Sequence, residues 1–169
     1  MKTKINLSII LPTFNERNNI KPLLDDLLKL SAAYELELIV IDDNSTDGTA
    51  LFVRELAQRD RRIRLINRVG RAGLSSAIKE GCLCATGELL AIMDTDGQHE
   101  ARSIANGLKK LVEDKLDFVT GSRFLEKSTI KGLSDARKGG SNVANSLSRF
   151  SLPKRYSHLT DFMSGCMIL

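Results

Sequence analysis

Five short apolar runs, each closed by a polar loop and separated from the next by a stretch of helical period, constrain this chain more than any other feature. The runs are residues 5–11 (INLSIIL), 36–41 (LELIVI), 63–67 (IRLIN), 89–93 (LLAIM) and 117–120 (DFVT). Amphipathic stretches fall near 17–31, 48–60, 73–85 and 99–114. In the first, Leu23, Leu24, Leu27, Leu28 and Leu30 carry the helical period. Strands alternating with helices of this length predict βαβ units and an α/β fold with a mostly parallel central sheet. In such sheets ligands bind beyond the carboxyl ends of the strands. Those ends read PTFNE, DDNSTDGT, NRVGRAG and DTDGQH, so function is expected in these four polar loops.

The remaining features bound the class of protein. At 169 residues the chain is expected to be a single domain over 1–169, large enough for one core and too small for two. It has no Trp and few aromatics, which argues against base-stacking platforms and a nucleic-acid partner. No apolar run approaches the roughly eighteen residues of a membrane span. The start, MKTKINLSIILPTF, is interrupted by Asn6 and Ser8 and reads as a buried first strand rather than a signal peptide. Cys82, Cys84 and Cys166 form no paired C-x-x-C sites, which points to reduced cytosolic thiols rather than a zinc site or disulfides.

Charge is unevenly placed. Residues 1–101 hold 13 Lys/Arg against 15 Asp/Glu, net −2, and residues 102–169 hold 12 against 6, net +6. A basic C-terminal third suits phosphates or an acidic membrane surface. Residues 122–135 lack a clear period and read as a mobile loop over the site, followed by a helix near 136–150. The chain stops at MSGCMIL, an apolar run that reads as a strand, so a fragment, or a domain that a partner completes, is expected.

Two loops carry most of the chemistry. In IDDNSTDGT, Ser45, Thr46 or Asp47 can cap the next helix and Asp47-Gly48 can form the turn. Capping leaves Asp42 and Asp43 over, and one of them, Asp43 by preference, is placed to accept hydrogen bonds from a base or ribose. In MDTDGQH, Asp94 and Asp96 stand one residue apart directly after an apolar strand. Carboxylates that close repel one another, and a hard dication such as Mg²⁺ or Mn²⁺ relieves the repulsion while also taking diphosphate oxygens. An EF-hand would need Gly and Glu where His99 and Ala105 stand. His99 is read as a capping or surface residue more readily than as a ligand. Neither GxGxxG nor a phosphate loop ending in Gly-Lys-Ser/Thr is present, which disfavours a dehydrogenase and a P-loop kinase. Arg137 and Ser141 are four residues apart on one helix face and, with Arg123 and Lys138, suit an oxyanion.

Together these segments resemble the dolichol-phosphate mannosyltransferase group of the family 2 inverting glycosyltransferases. The resemblance runs through LPTFNERNNI at 11–20, LIVIDDNSTDGT at 38–49, RAGLSSAIKEG at 71–81 and ATGELLAIMDTDGQH at 85–99. It continues in VTGSR at 119–123, ARKGGSNVAN at 136–145 and DFMSG at 161–165. It implies a GT-A-type, Rossmann-like sandwich, here truncated at the C-terminus. It places Pro12, Phe14, Glu16 and Asp43 around the donor's base and ribose, and Asp94, Asp96 and Gln98 at the metal and diphosphate. Arg123, Arg137 and Ser141 fall at the acceptor phosphate, and Asp161 with Ser164-Gly165 at the pocket side. The catalytic set so implied is Asp94, Asp96, Arg123 and Arg137.

Thr95 and Gly97 replace the family's usual Ala and Leu, and Gly97 is expected to loosen the metal loop. Glu100-Ala101 stand where the family has prolines. Members also continue past SGCMIL with an interfacial helix and a further phosphate-binding arginine. The implied reaction transfers a hexose from GDP-mannose, or from UDP-glucose or UDP-GlcNAc, to a polyprenyl or dolichyl phosphate, assisted by Mg²⁺ or Mn²⁺. A truncated domain that binds nucleotide-sugar without turnover is the other outcome. The implied location is peripheral, at the cytoplasmic face of a membrane, against a lipid surface or a membrane-protein partner.

Overall fold

A computed structural model of the chain describes residues 6–70, 72–97, 100–122 and 165–169. The elements in chain order are β1 (Asn6–Thr13), α1 (Ile20–Leu28) running on as a short 3-10 turn (Lys29–Ala32), β2 (Glu35–Asp42), α2 (Thr49–Arg59), β3 (Ile63–Asn67), α3 (Leu74–Cys84), β4 (Leu89–Met93), α4 (Ala101–Glu113), β5 (Val119–Thr120) and β6 (Cys166–Ile168). The strands and helices expected within the described residues are present within two or three residues, although only the end of the 117–120 run pairs as a strand. The loop expected at 122–135 and the helix expected at 136–150 lie outside the described residues, apart from Ser122.

The six strands form one sheet in the order β3-β2-β1-β4-β6-β5. β1 pairs in parallel with β2 and β4, and β2 with β3. β6 runs antiparallel to both β4 and β5, an inversion that three-residue strands do not announce in sequence. β1 and β2 are buried on both faces, which is why their sequences read as almost unbroken apolar runs. One face carries Leu7, Ile9, Leu11, Leu38 and Val40 against α1, α2 and α4 through Leu24, Leu27, Val53, Ile104 and Leu108. The other carries Ile10, Ile39, Ile41 and Ile92 against Ala77, Ile78 and Cys82 of α3. The chain thus steps outward from β1 to β3, then returns through α3 on the opposite face to place β4 on β1's other side. That reversal opens a crevice at the carboxyl ends of β1 and its neighbours. Among the described residues no helix is long and apolar enough to cross a membrane.

The amino-terminal end of the sheet is closed by a polar hub. Glu37 accepts hydrogen bonds from the Ser8 hydroxyl (2.6 Å), from the N–H (2.7 Å) and hydroxyl (2.8 Å) of Thr86, and from Arg64 (2.5 Å). Arg64 also donates to the carbonyl of Cys84, and Ser8 accepts from the N–H of Gly87. One carboxylate therefore ties β1, β2 and β3 to the end of α3 and the start of β4. Burial raises the carboxyl's pKa, but these donors outweigh it and hold Glu37 at about 2, against an ordinary 4.5. The folded value lies below the unfolded one, so the stabilisation is complete above about pH 4.5 and is lost as pH falls through 2. Glu37→Gln is expected to cost about 2 kcal/mol near neutral pH, roughly 4–8 °C in Tm for a chain of this length. Melting curves from pH 7 to 2 test this. The gap between wild type and variant should close toward pH 2, and equal melting at pH 7 would contradict the hub.

Candidate active site

The loops after β1 and β2 are joined to each other before any ligand enters. The N–H of Asn15 donates to Ser45 Oγ (2.8 Å), that of Thr46 to Asn15 Oδ1 (2.9 Å), that of Glu16 to Thr49 Oγ1 (3.1 Å) and that of Arg17 to Asp47 Oδ2 (3.1 Å). Asn15 and Asn44 take left-handed backbone (φ 57° and 65°), which asparagine tolerates better than most residues. The Arg17 guanidinium lies 3.7 Å from the Phe52 ring centroid, adding a cation–π contact. Of the three candidate caps only Asp47 bonds the start of α2, accepting from the N–H and hydroxyl of Thr49. Burial pushes the Asp47 carboxyl up, but hydrogen bonds from the Thr49 hydroxyl and the N–H groups of Arg17 and Thr49 prevail and lower it. Ser45 and Thr46 serve the β1 loop instead. Glu16 accepts from the Asn19 side chain (2.7 Å), and Phe14 is half-buried beside it in sequence.

Strand alternation separates the adjacent acids. Asp42 faces the α1 side, fully buried, with Oδ2 accepting from the N–H of Ser45 and Oδ1 without a hydrogen-bond partner among the described residues. Asp43 faces the α3 side, in line with Ile39 and Ile41. Its Oδ1 accepts from Arg68 (2.8 Å) and from the N–H of Ala72 (3.0 Å), and its Oδ2 from the N–H of Gly73 (2.9 Å). The residue expected to meet a base or ribose therefore also holds the loop after β3.

The end of β4 follows the same rule. Thr95 turns inward, only 3% exposed, and its hydroxyl donates to the carbonyl of Pro12 (3.1 Å), tying the tips of β4 and β1. Asp94 stands on the crevice side and Asp96 is exposed on the loop. The N–H of Asp94 donates to the Gly165 carbonyl (2.8 Å), and a Cβ on Gly165 would overlap Asp94 Oδ2, so glycine is required where β6 passes the carboxylate. Below it, burial first and the Asp94 charge second push the Cys166 thiol up to about 11. Gly97 adopts φ +79°, a left-handed turn that glycine takes without strain, so it shapes the loop that it was expected to loosen.

By alternation Pro12, Asp43 and Asp94 share the α3 side of the crevice, at the carboxyl ends of three adjacent strands. Two hard carboxylates suit Mg²⁺ or Mn²⁺. Among the described residues no group of three or more acids, His or Cys is placed to hold a metal ion. Gln98, His99, Arg123, Arg137, Lys138, Ser141, Asp161 and Ser164 lie outside the described residues. Sequence reasoning missed Arg68, Thr95 and the contact of Gly165 with Asp94. An arginine directly after β3, one strand over from an acid directly after β2, was the available signal for the first.

Comparison with known proteins names the class. Mannosyltransferase PcManGT from Pyrobaculum calidifontis, solved with GDP-Man and Mn²⁺, shares the fold with a TM-score of 0.61 at 28% identity, covering 72% of this chain and 36% of its own. Mannosyl-3-phosphoglycerate synthase from Rubrobacter xylanophilus matches with a TM-score of 0.72 over 97% of this chain and 53% of its own; at 17% identity it shows the fold alone. The fold is thus of the GT-A type, as expected. Residues 8–169 match the family described as Glycosyl transferase family 2, and the chain belongs to that family. The dolichol-phosphate mannosyltransferase of Pyrococcus furiosus is 31% identical over 165 residues, 98% of this chain and 46% of the relative. That of Saccharomyces cerevisiae is 38% identical over 125 residues, 71% of this chain and 45% of the relative. The chain therefore spans just under half the length of these relatives.

The Gly165 contact yields a test. Gly165→Ala should displace the Asp94 carboxylate and weaken Mn²⁺ binding about tenfold, read by electron paramagnetic resonance of free Mn²⁺, with the circular dichroism unchanged. Unaltered Mn²⁺ affinity would remove Asp94 from the metal assignment.

Proposed function

We propose that this chain is the donor-binding portion of an inverting hexosyltransferase that moves mannose from GDP-mannose to a polyprenyl or dolichyl phosphate. The observation that carries the reading is the carboxylate pair Asp94 and Asp96 at the end of β4, across the β1 tip from Asp43. Similarity to two dolichol-phosphate mannosyltransferases supplies the donor and acceptor classes. The Mn²⁺ bound with GDP-Man in the Pyrobaculum enzyme supports a divalent ion, Mg²⁺ or Mn²⁺, which Asp94, Asp96 and Gln98 would hold.

Pro12, Phe14, Glu16 and Asp43 line the side for base and ribose, on loops already joined to each other, so little backbone order remains to be fixed when the donor enters. When bound, the divalent ion neutralises charge gathering on the departing nucleoside diphosphate. A lipid phosphate is already anionic at neutral pH, so its attack on the anomeric carbon needs no side-chain base. Arg123, Arg137 and Ser141 would hold that phosphate in line, the planar guanidinium matching an oxyanion edge. The basic C-terminal third, net +6, favours an anionic leaflet, which supports a peripheral site at the cytoplasmic face.

Transfer of radiolabelled mannose from GDP-mannose to dolichyl phosphate in the presence of Mn²⁺ is the test. Asp96→Ala should cut transfer at least a hundredfold. Arg137→Ala should raise the acceptor KM and leave donor KM nearly unchanged. Transfer from UDP-glucose instead would move the donor assignment, and near-normal turnover of Asp96→Ala would sink the metal role.

A further inference from the structure

The loop between β3 and α3 has almost nothing apolar to hold it. Val69 is fully exposed, and Gly70 and Gly73 take left-handed backbone (φ +75° and +88°) with open space where side chains would stand. Its placement must come from polar contacts, and these converge on one guanidinium. Arg68 is buried to within 10% of its side-chain surface. Nη1 donates to Asp43 Oδ1 (2.8 Å) and to the carbonyl of Gly73 (3.3 Å). Nη2 donates to Ser76 Oγ (2.7 Å), and Nε pairs with Glu80 (3.1 Å). One planar fork thus connects the end of β2, both ends of the loop and the first turns of α3. Lysine, with a single point of charge, does not reproduce such a pattern.

Asp43 meets the loop from the other side, through the N–H groups of Ala72 and Gly73. The two residues form a closed circuit: Arg68 fixes the carboxylate, the carboxylate fixes the backbone at 72–73, and Gly73 returns its carbonyl to Arg68. We infer that Arg68 is a positioning residue of the donor pocket, acting through Asp43 to set the backbone of Ala72 and Gly73 beside the crevice. It does not need to touch the donor. The inference rests on the reading of this crevice as a nucleotide-sugar site.

Two measurements separate the inference from that reading. The first uses no ligand: amide hydrogen exchange at Ala72 and Gly73 in wild type, Arg68→Gln and Arg68→Lys. Both variants should speed exchange there about tenfold, as loss of a charge-assisted clasp predicts, while Ala77–Cys82 in α3 keep their protection. Arg68→Lys carries the test if Arg68→Gln fails to fold. The second is calorimetry with GDP-mannose and Mn²⁺. Arg68→Gln and Asp43→Asn should each weaken binding about tenfold, and the double variant no further, because both break one circuit.

Unchanged exchange at Ala72 and Gly73 would overturn the inference. So would losses in the two variants that multiply. Absence of nucleotide-sugar binding by the wild type would overturn the reading of the crevice, and the exchange result alone would then decide whether the clasp exists.

Discussion

At the tip of β2 a single carboxylate, that of Asp43, accepts one hydrogen bond from Arg68 and two from the backbone of the neighbouring loop, and the layout of the crevice depends on this contact. Without it the described residues of the segment RVGRAG offer an exposed valine, two glycines and no apolar anchor. With it, the loop after β3 is held against the loop after β2, which is itself hydrogen-bonded to the loop after β1. Three of the four strand ends therefore form one connected rim. The fourth, at β4, joins through the Thr95 hydroxyl on the Pro12 carbonyl. Preorganisation of this kind reduces the ordering that a ligand must impose when it binds.

The two ends of the sheet use the same device for different purposes. At the amino-terminal end, Glu37 gathers donors from three segments and locks strands to the helix behind them. At the carboxyl end, Asp43 gathers donors from a loop, on the same α3 face. The first hub sits among regular elements and contributes stability. The second sits among glycines and asparagines in left-handed backbone, where it sets the shape of an opening. Asp94 and Asp96 bring two further carboxylates to that opening, at the end of β4.

Much of this was legible in sequence because burial on both faces writes itself into β1 and β2 as unbroken apolar runs, and Leu23, Leu24 and Leu27 write the period of α1. The polar strand ends pointed to the site for the same reason. What a period of two could also have shown is the division of labour between adjacent acids. Asp42 and Asp43 must face opposite sides, and so must Thr95 and Asp94. The role of Arg68 was not legible, because its acidic partners, Asp43 and Glu80, lie 25 and 12 residues away in sequence and meet it only through the fold. The apolar run MSGCMIL showed β6 as a strand, but its antiparallel direction was hidden, and its place beside Asp94 depends on Gly165. Similarity to family 2 enzymes supplied what geometry alone does not, namely the family.

On the proposed function, the crevice at the ends of β1, β2 and β4 holds a nucleotide-sugar through a metal shared with its diphosphate. Titration of GDP-mannose into the purified chain by calorimetry, in Mn²⁺ and again in EDTA, tests it most directly. Saturable, one-to-one binding is expected in Mn²⁺, falling at least tenfold in EDTA. Equal affinity in both buffers would contradict the shared metal, and no binding in either would contradict the site.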